Sequence, residues 1–211
     1  TVRRVLAEKG LRSRIRRRHR YPHSLAAFQA VAPNKLSRDF NACEPDRKWA
    51  ADITYIRTDQ GWLYLAVVLD IFSRKVIGWS MSDSADARLA CRALEMALVA
   101  RAPRTGLLHH SDQGCQYKST AFSDLLEQNE IDCSMSRAGN CWDNAVVESF
   151  FSKLKREWTS WKRYRTRDEA KQDIFIYLEI FYNRQRRHAT LGYLSPEAFE
   201  EKFNLNKKMA A

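Results

Sequence analysis

Three acidic residues, Asp52, Asp112 and Glu148, occupy positions where carboxylates could act together on a metal ion. Asp52 interrupts an apolar segment, where an unpaired charge is costly unless something compensates it. Asp112 directly follows a short apolar segment, and Glu148 falls in the first turns of a helix with an apolar stripe. Three oxygen donors without His or Cys partners favour Mg²⁺ or Mn²⁺ over zinc. Two such ions, about 4 Å apart, can activate the attacking oxygen and stabilise the leaving oxygen of a phosphoryl transfer.

Each carboxylate also has a simpler explanation when it is taken alone. Asp112 could cap the following helix, Glu148 could favour the helix dipole, and Asp52 could be a solubility charge on an edge strand. All three explanations would have to hold at once for the residues to be unrelated. The joint pattern therefore favours a shared site.

A serine hydrolase is a second possible interpretation of the same region, built from Ser111 with His109 or His110. Adjacent residues of a strand point to opposite faces, which disfavours this arrangement. We interpret both histidines as packing groups or as neighbours of the site.

Hydrophobic patterning predicts an α/β domain that would carry these residues. The predicted elements are strands over 49–56, 62–69 and 75–81, a helix over 84–101, a strand over 106–110, a helix over 117–130, a strand over 131–135, a long helix from near Asp143 and a last helix over about 167–183. This order predicts a mixed sheet of about five strands with helices on both faces, as in ribonuclease H-like domains. Because α/β folds place their sites at the carboxyl ends of strands, we expect the three carboxylates at one sheet edge.

The charge distribution favours a polyanionic partner. The 211 residues carry a net charge of +11, and residues 1–48 hold 13 Lys and Arg against 4 Asp and Glu. Residues 49–147 hold 9 against 12, so an acidic middle lies between basic flanks. This segregation is typical of a protein that binds nucleic acid and uses carboxylates for another purpose.

Other classes of protein are disfavoured by composition. No apolar run approaches the roughly 20 residues of a membrane span, so we expect no membrane partner. Five cysteines without a C-x-x-C pair disfavour a disulfide framework or a structural zinc site and suit a reducing cytoplasm. The chain begins at Thr1 rather than Met, and we expect it to be a fragment.

Several blocks of sequence resemble the catalytic subunit of bacterial insertion-sequence transposases of the third family, relatives of retroviral integrases. The blocks are Trp49-x-x-Asp52-Ile-Thr-Tyr-Ile56, Tyr64-Leu65, Asp70-x-x-Ser73-Arg74-x-x-x-Gly78-Trp79, His110-Ser111-Asp112-x-Gly114-x-Gln116-Tyr117, Gly139-Asn-Cys-Trp-Asp143-Asn144-Ala145-x-x-Glu148-Ser149-Phe150-Phe151-x-x-Leu154-Lys155, Tyr182-Asn183-x-x-Arg186-Arg187-His188 and Leu191-Gly192-Tyr193-x-Ser195-Pro196. The resemblance covers about residues 45–200. Cys115 and Trp142 depart from the serine and tyrosine that are common in the family.

The resemblance implies a ribonuclease H-like fold and a DDE triad of Asp52, Asp112 and Glu148 that binds two Mg²⁺ or Mn²⁺ ions. Water would first free a 3′-OH at the end of the element, and that hydroxyl would then attack another strand. The implied partners are double-stranded DNA, as the terminal inverted repeats of the element and the target, and further copies of the chain on paired ends. The implied location is the bacterial cytoplasm, at the nucleoid.

We expect three regions: a basic segment and connector over 1–46, which resembles the remnant of an upstream helix-turn-helix region, a catalytic core over 47–160 and a helical extension of the core over 161–211.

Lys155 follows Glu148 by two helical turns, so both are expected on one side of the helix, with Lys155 near the reacting phosphate. Arg16, Arg17 and Arg18 are predicted to track DNA phosphates.

The sequence also predicts roles for an asparagine and for several tryptophans. Asn144 is predicted to cap the catalytic helix, with DNA contact as the alternative. We expect most tryptophans to be core or partly core, namely Trp62, Trp79, Trp158 and Trp161. Trp142 is the one aromatic side chain that we consider for base stacking.

Two other functions remain possible from the sequence. A ribonuclease H-type nuclease would share the fold, but the third block and the tail motif disfavour it. A domesticated DNA-binding protein without catalysis would not need all three carboxylates. The sequence therefore favours a DNA transposase.

Overall fold

The computed structural model describes residues 31–210, so Arg16, Arg17 and Arg18 lie outside the described residues. The main elements in chain order are β1 (Lys48–Thr58), β2 (Gly61–Asp70), β3 (Val76–Ser82), α1 (Ala87–Arg101), β4 (Leu108–Ser111), α2 (Thr120–Gln128), β5 (Asp132–Met135), α3 (Ala145–Leu154), α4 (Arg167–Phe175) and α5 (Pro196–Met209). Helix α3 continues in π-helical turns over Lys155–Thr159, and α4 does so over Ile176–Gln185. Single 3₁₀ turns occupy Cys141–Asn144 and Ala189–Leu191.

The five strands form one mixed sheet in the order β3-β2-β1-β4-β5. Strands β1, β2 and β3 pair antiparallel, whereas β4 pairs parallel to both β1 and β5. The parallel pairs need crossover connections, which helices α1 and α2 provide. The predicted five-stranded mixed sheet is confirmed.

Helices cover both faces of the sheet. On one face, α3 and the long helix that begins as α4 bury an aromatic core that contains Phe150, Tyr177 and Tyr182. On the other face, α1 and α2 pack against Trp49 and the alanines and valines of β1 and β2. Strand β2 is therefore apolar on both sides, as a covered interior strand should be.

Helix α1 approaches the sheet most closely at Gly78. A Cβ atom at this position would lie 2.2 Å from the carbonyl oxygen of Ala93. Only glycine fits here without moving the helix, so Gly78 fixes the depth at which α1 packs on β3.

Helix α5 is a feature that the sequence analysis missed. Ser195 caps it by accepting a hydrogen bond from the amide of Ala198, and Pro196 occupies its first turn. Glu200 of α5 is buried and accepts hydrogen bonds from Arg101 at the end of α1 and from Ser73. These contacts attach the C-terminal helix to the end of α1 and to the turn between β2 and β3. No helix within residues 31–210 is long and apolar enough to cross a membrane.

Candidate active site

The site forms where β1 and β4 separate. Their parallel pairing ends at Ala50, and Asp52 lies two residues farther along β1. The carboxylate of Asp52 accepts a hydrogen bond from the amide of Ile53 at 2.7 Å. Burial raises the pKa of Asp52 well above its usual range, and the negative charges of Asp112 and Glu148 raise it further.

Asp112 directly follows β4, as the sequence predicts. Its Oδ1 accepts a hydrogen bond from the amide of Gly114 at 2.9 Å. Burial raises the pKa of Asp112, while the hydrogen bond from Gly114 and the charge of Lys118 oppose this rise. A Cβ at Gly114 would lie 2.9 Å from Asp112 Oδ1, so glycine is required for this turn to hold the carboxylate.

Glu148 lies in the first turn of α3, half-buried. The start of this helix is tied to β1, because Asn144 Nδ2 donates to the carbonyl oxygen of Ala51 at 3.3 Å. Asn144 occupies the N-cap position but makes no capping hydrogen bond with its side chain. The expectation that Asn144 caps the helix is therefore wrong; its amide instead holds the helix against the strand that carries Asp52.

The donor set fits divalent cations of the magnesium type. The negative charges of Asp112 and Glu148 act on Asp52, and Lys155 is the positive charge that lowers the pKa of Asp52. In the described part of the chain, no three His, Cys, Asp or Glu side chains form a ready-made metal site. The fit thus rests on the chemistry of the oxygen donors and on the excess of negative charge around Asp52.

Comparisons with known proteins agree with this architecture. Two models of the integrase core domain match residues 42–141 and 129–196. The chain is 46% identical over 202 residues to "Transposase InsF for insertion sequence IS3A" of Escherichia coli (strain K12), which covers 96% of this chain and 70% of that protein. It is 43% identical over 201 residues to "Insertion element IS600 uncharacterized 31 kDa protein" of Shigella sonnei, with 95% and 74% covered.

The chain belongs to the insertion-sequence transposases with an integrase core domain. Solved structures show the same fold at low sequence identity. The catalytic core domain of HTLV-2 integrase in complex with magnesium matches with a TM-score of 0.57 and 14% identity, over 76% of the transposase and 99% of that chain. The catalytic core domain of BIV integrase matches with a TM-score of 0.56 and 16% identity, over 77% of the transposase and 99% of that chain. A chain of the simian T-cell lymphotropic virus intasome matches with a TM-score of 0.62 and 15% identity, over 84% of the transposase and 60% of that chain.

These matches confirm the ribonuclease H-like fold of the transposase and its function as a DNA transposase. The sequence predicts a polynucleotidyl transferase, and membership of this family supports that enzyme class. The roles of individual residues do not follow from the family alone.

Lys155 of the transposase lies beyond α3, in the π-helical turns. Its charge acts on Asp52, and its Nζ lies 4.7 Å from the centroid of the Tyr55 ring. The expected position of Lys155 on the same side of the helix as Glu148 stays a prediction. Whether it contacts DNA remains a prediction.

A buried ion-pair cluster that the sequence analysis missed holds the turn before α3. The side chain of Asp143 has no exposed surface. It accepts hydrogen bonds from Arg137, from Arg38 and from Asn34. These pairs hold the pKa of Asp143 well below its usual range. Because its partners lie up to 109 residues away in sequence, no local pattern identifies Asp143.

The two histidines on β4 pack in the interior. His109 contacts the ring of Phe122 at a centroid distance of 5.3 Å, and His110 Nδ1 lies 2.8 Å from Ser134 Oγ. Burial lowers the pKa of His109 to about 3 and that of His110 to about 4. Both rings are therefore neutral at pH 7, as packing groups should be.

The tryptophans divide into two groups. Trp79 and Trp158 pack partly buried against the aromatic core, as expected. Trp62 and Trp161 are 45% and 50% exposed, so their prediction as core residues is wrong. Trp62 lies at the turn end of the β1–β2 hairpin. Trp142, just before α3, is also exposed.

Proposed function

We propose that the chain cleaves and joins DNA at the ends of an insertion sequence, with Asp52, Asp112 and Glu148 as the catalytic carboxylates. One observation supports the proposal: the charges of Asp112, at the end of a strand, and of Glu148, on a helix, both act on the buried Asp52 of β1. Unrelated surface carboxylates would not combine in this way beside a strand edge. Phosphoryl transfer at such a site needs no nucleophilic side chain.

Two Mg²⁺ or Mn²⁺ ions are the cofactors that this donor set suits. When bound, they would activate the attacking oxygen and stabilise the leaving oxygen of the phosphodiester. The three carboxylates would hold them. Hydrogen bonds from the amides of Ile53 and Gly114 orient Asp52 and Asp112, and cation binding would offset the repulsion among the acids.

The DNA substrates are double-stranded: the terminal inverted repeats of the element and the target. Lys155 would contact a phosphate near the reacting bond, which its position beside Asp52 supports. Arg16, Arg17 and Arg18 would follow the DNA backbone farther away. The active form would be a homo-oligomer on paired ends, in the bacterial cytoplasm at the nucleoid.

A strand-joining assay tests this proposal. A labelled duplex with a free 3′-OH end is incubated with a second duplex and the full 211-residue chain, with Mg²⁺ or with EDTA. We expect joined product with Mg²⁺ only. Asp112→Asn should abolish joining and retain DNA binding, while Asp124→Asn, a matched change of an exposed carboxylate on α2, should retain both.

The outcomes separate the possible functions. Asp112→Asn with wild-type turnover would contradict the assignment of the triad. Cleavage of RNA in RNA–DNA hybrids without joining would instead favour the nuclease. Tight DNA binding without either reaction would favour the non-catalytic DNA-binding protein.

A further inference from the structure

Two aromatic side chains lie between Lys155 and the turn of the β1–β2 hairpin. Tyr55 lies beneath Lys155, with 4.7 Å between Nζ and the ring centroid. Trp62 meets Tyr55 edge to face, with 4.9 Å between the two centroids. We call Tyr55 and Trp62 the hairpin aromatic pair. Because Lys155 also acts on Asp52, one lysine links the pair to the carboxylates.

The strand register explains why Trp62 is open to solvent. Trp62 pairs with Arg57 across the hairpin, so the two side chains leave the same face of the sheet. Tyr55 shares that face two residues earlier on β1. Helix α1 packs on this face around Gly78, on the side of the sheet away from the turn. At the turn end, Trp62 is 45% exposed, and Arg57 is exposed as well.

The charges around the pair are mostly positive. Arg167 donates from Nε to the carbonyl oxygen of Trp62 at 3.1 Å, which places its guanidinium beside the turn. Arg163 is paired with Asp59 and is therefore neutralised. Among the ion pairs of residues 31–210, none involves Arg57, Lys155 or Arg167. These three side chains supply the positive charge beside the hairpin aromatic pair.

We propose that the hairpin aromatic pair binds an unpaired segment of DNA next to the reacting phosphodiester. Trp62 stacks on an exposed base, while Lys155, Arg57 and Arg167 face the phosphates. Exposed rings flanked by cations are the arrangement that binds single strands, and duplex DNA does not offer its base faces to such a ring. The proposal rests on the proposed function, which brings DNA to the carboxylates next to Lys155.

A packing role for the same residues makes a different prediction. Cross-strand aromatic pairs stabilise hairpins, and a tryptophan that serves only this purpose would leave DNA affinity unchanged when it is replaced. Binding measurements on single-stranded and duplex DNA therefore separate the two roles.

The test measures the affinity of the full chain for a fluorescein-labelled oligothymidylate of about 12 nucleotides, within the usual range of single-strand site sizes. A duplex of the same length is measured in parallel, with EDTA to prevent cleavage. Trp62→Leu should weaken single-strand binding about 10-fold, whereas Trp62→Phe, which keeps a ring, should lose less than about threefold. Duplex binding should change less than about twofold, and Tyr193→Ala, which removes another exposed aromatic ring, should change neither affinity.

A second measurement covers the case in which Trp62→Leu fails to fold. An oligonucleotide that contains 2-aminopurine loses emission when the base stacks on an aromatic ring, so wild-type protein should quench it. Wild-type protein that leaves the emission unchanged overturns the proposal, as does Trp62→Leu with wild-type affinity or with equal losses on both DNAs. Failure of the proposed function is a separate result, the absence of Mg²⁺-dependent joining by the wild-type chain.

Discussion

Arg137 forms a two-point ion pair with the buried carboxylate of Asp143, with Nε 2.9 Å from Oδ2 and Nη2 3.0 Å from Oδ1. Arg38 adds a third charged contact from the connector, with Nε 2.8 Å from Oδ1. The pair closes the turn between β5 and α3, one residue before Asn144 attaches the helix to β1. The position of Glu148 at the start of α3 therefore depends on contacts that begin outside the catalytic sheet.

Asp143→Asn is expected to destabilise the protein strongly, because it leaves two guanidinium groups facing a neutral amide. Removing one member of a fully buried ion pair typically costs about 3–5 kcal/mol. Because the side chains of Arg137 and Arg38 are 60% and 45% exposed, we expect a smaller loss here, about 1–3 kcal/mol. Asp132→Asn is the matched control, since Asp132 pairs with Lys35 at the exposed surface, and such pairs contribute less than about 1 kcal/mol. Urea unfolding of both variants measures the difference. Equal losses in the free energy of unfolding of Asp143→Asn and Asp132→Asn would show that the buried cluster does not stabilise the turn.

The stability of the protein should decrease on acidification because of His109. Its pKa is lowered by burial to about 3, whereas the unfolded chain takes up the proton near pH 6.5. Stability from the neutral ring is fully present above pH 6.5 and is lost as the pH falls toward 3, by up to about 1.4 kcal/mol per pH unit.

Unfolding in urea at pH 7.5 and at pH 5 checks this expectation. In His109→Phe, which keeps an aromatic ring against Phe122, the decrease between the two pH values should be smaller than in the wild type. If the free energy of unfolding decreases by the same amount in His109→Phe as in the wild type, His109 is already protonated in the folded protein at pH 5.

The sheet and the positions of the three carboxylates could be predicted from the sequence because each depends on local pattern. Asp112 follows an apolar segment, and Glu148 lies at the beginning of an apolar stripe. Strand ends and helix starts are set by residues close in sequence, and the α/β topology then brings such ends together.

The remaining features depend on contacts between distant residues. Arg38 and Asp143 are 105 residues apart, and a buried carboxylate looks like any solvated acid until its partners are known. The exposure of Trp62 depends on what packs at the turn end of the hairpin, which periodicity does not reveal. Helix α5 did have a local signal, in Ser195 followed by Pro196, because serine at the N-cap and proline in the first turn are typical of helix starts.

Gly114→Ala should reduce strand joining without unfolding the protein. The added Cβ would lie 2.9 Å from Asp112 Oδ1 and 3.0 Å from Gln116 Oε1, so the Asp112 carboxylate must move. We expect a loss of joining of about 10-fold or more, since small displacements of positioned groups are costly. Gly192→Ala is the control: its φ of +63° strains the backbone at a cost of about 1 kcal/mol, but a Cβ there would meet no atom within 4 Å. Equal joining by the two variants would mean that Asp112 tolerates displacement.

Replacing Lys155 should change how DNA binding depends on salt. Lys155→Met keeps the apolar stem over Tyr55 and removes the charge, whereas Lys155→Arg keeps the charge. If Lys155 contacts a phosphate, the slope of log affinity against log salt should fall by about 0.9 in Lys155→Met and stay unchanged in Lys155→Arg. Duplex binding titrations over a range of salt concentrations measure the slope, with Lys202→Met on the exposed side of α5 as the control. A wild-type slope in Lys155→Met would mean that this lysine acts on Asp52 alone and makes no contact with the DNA backbone.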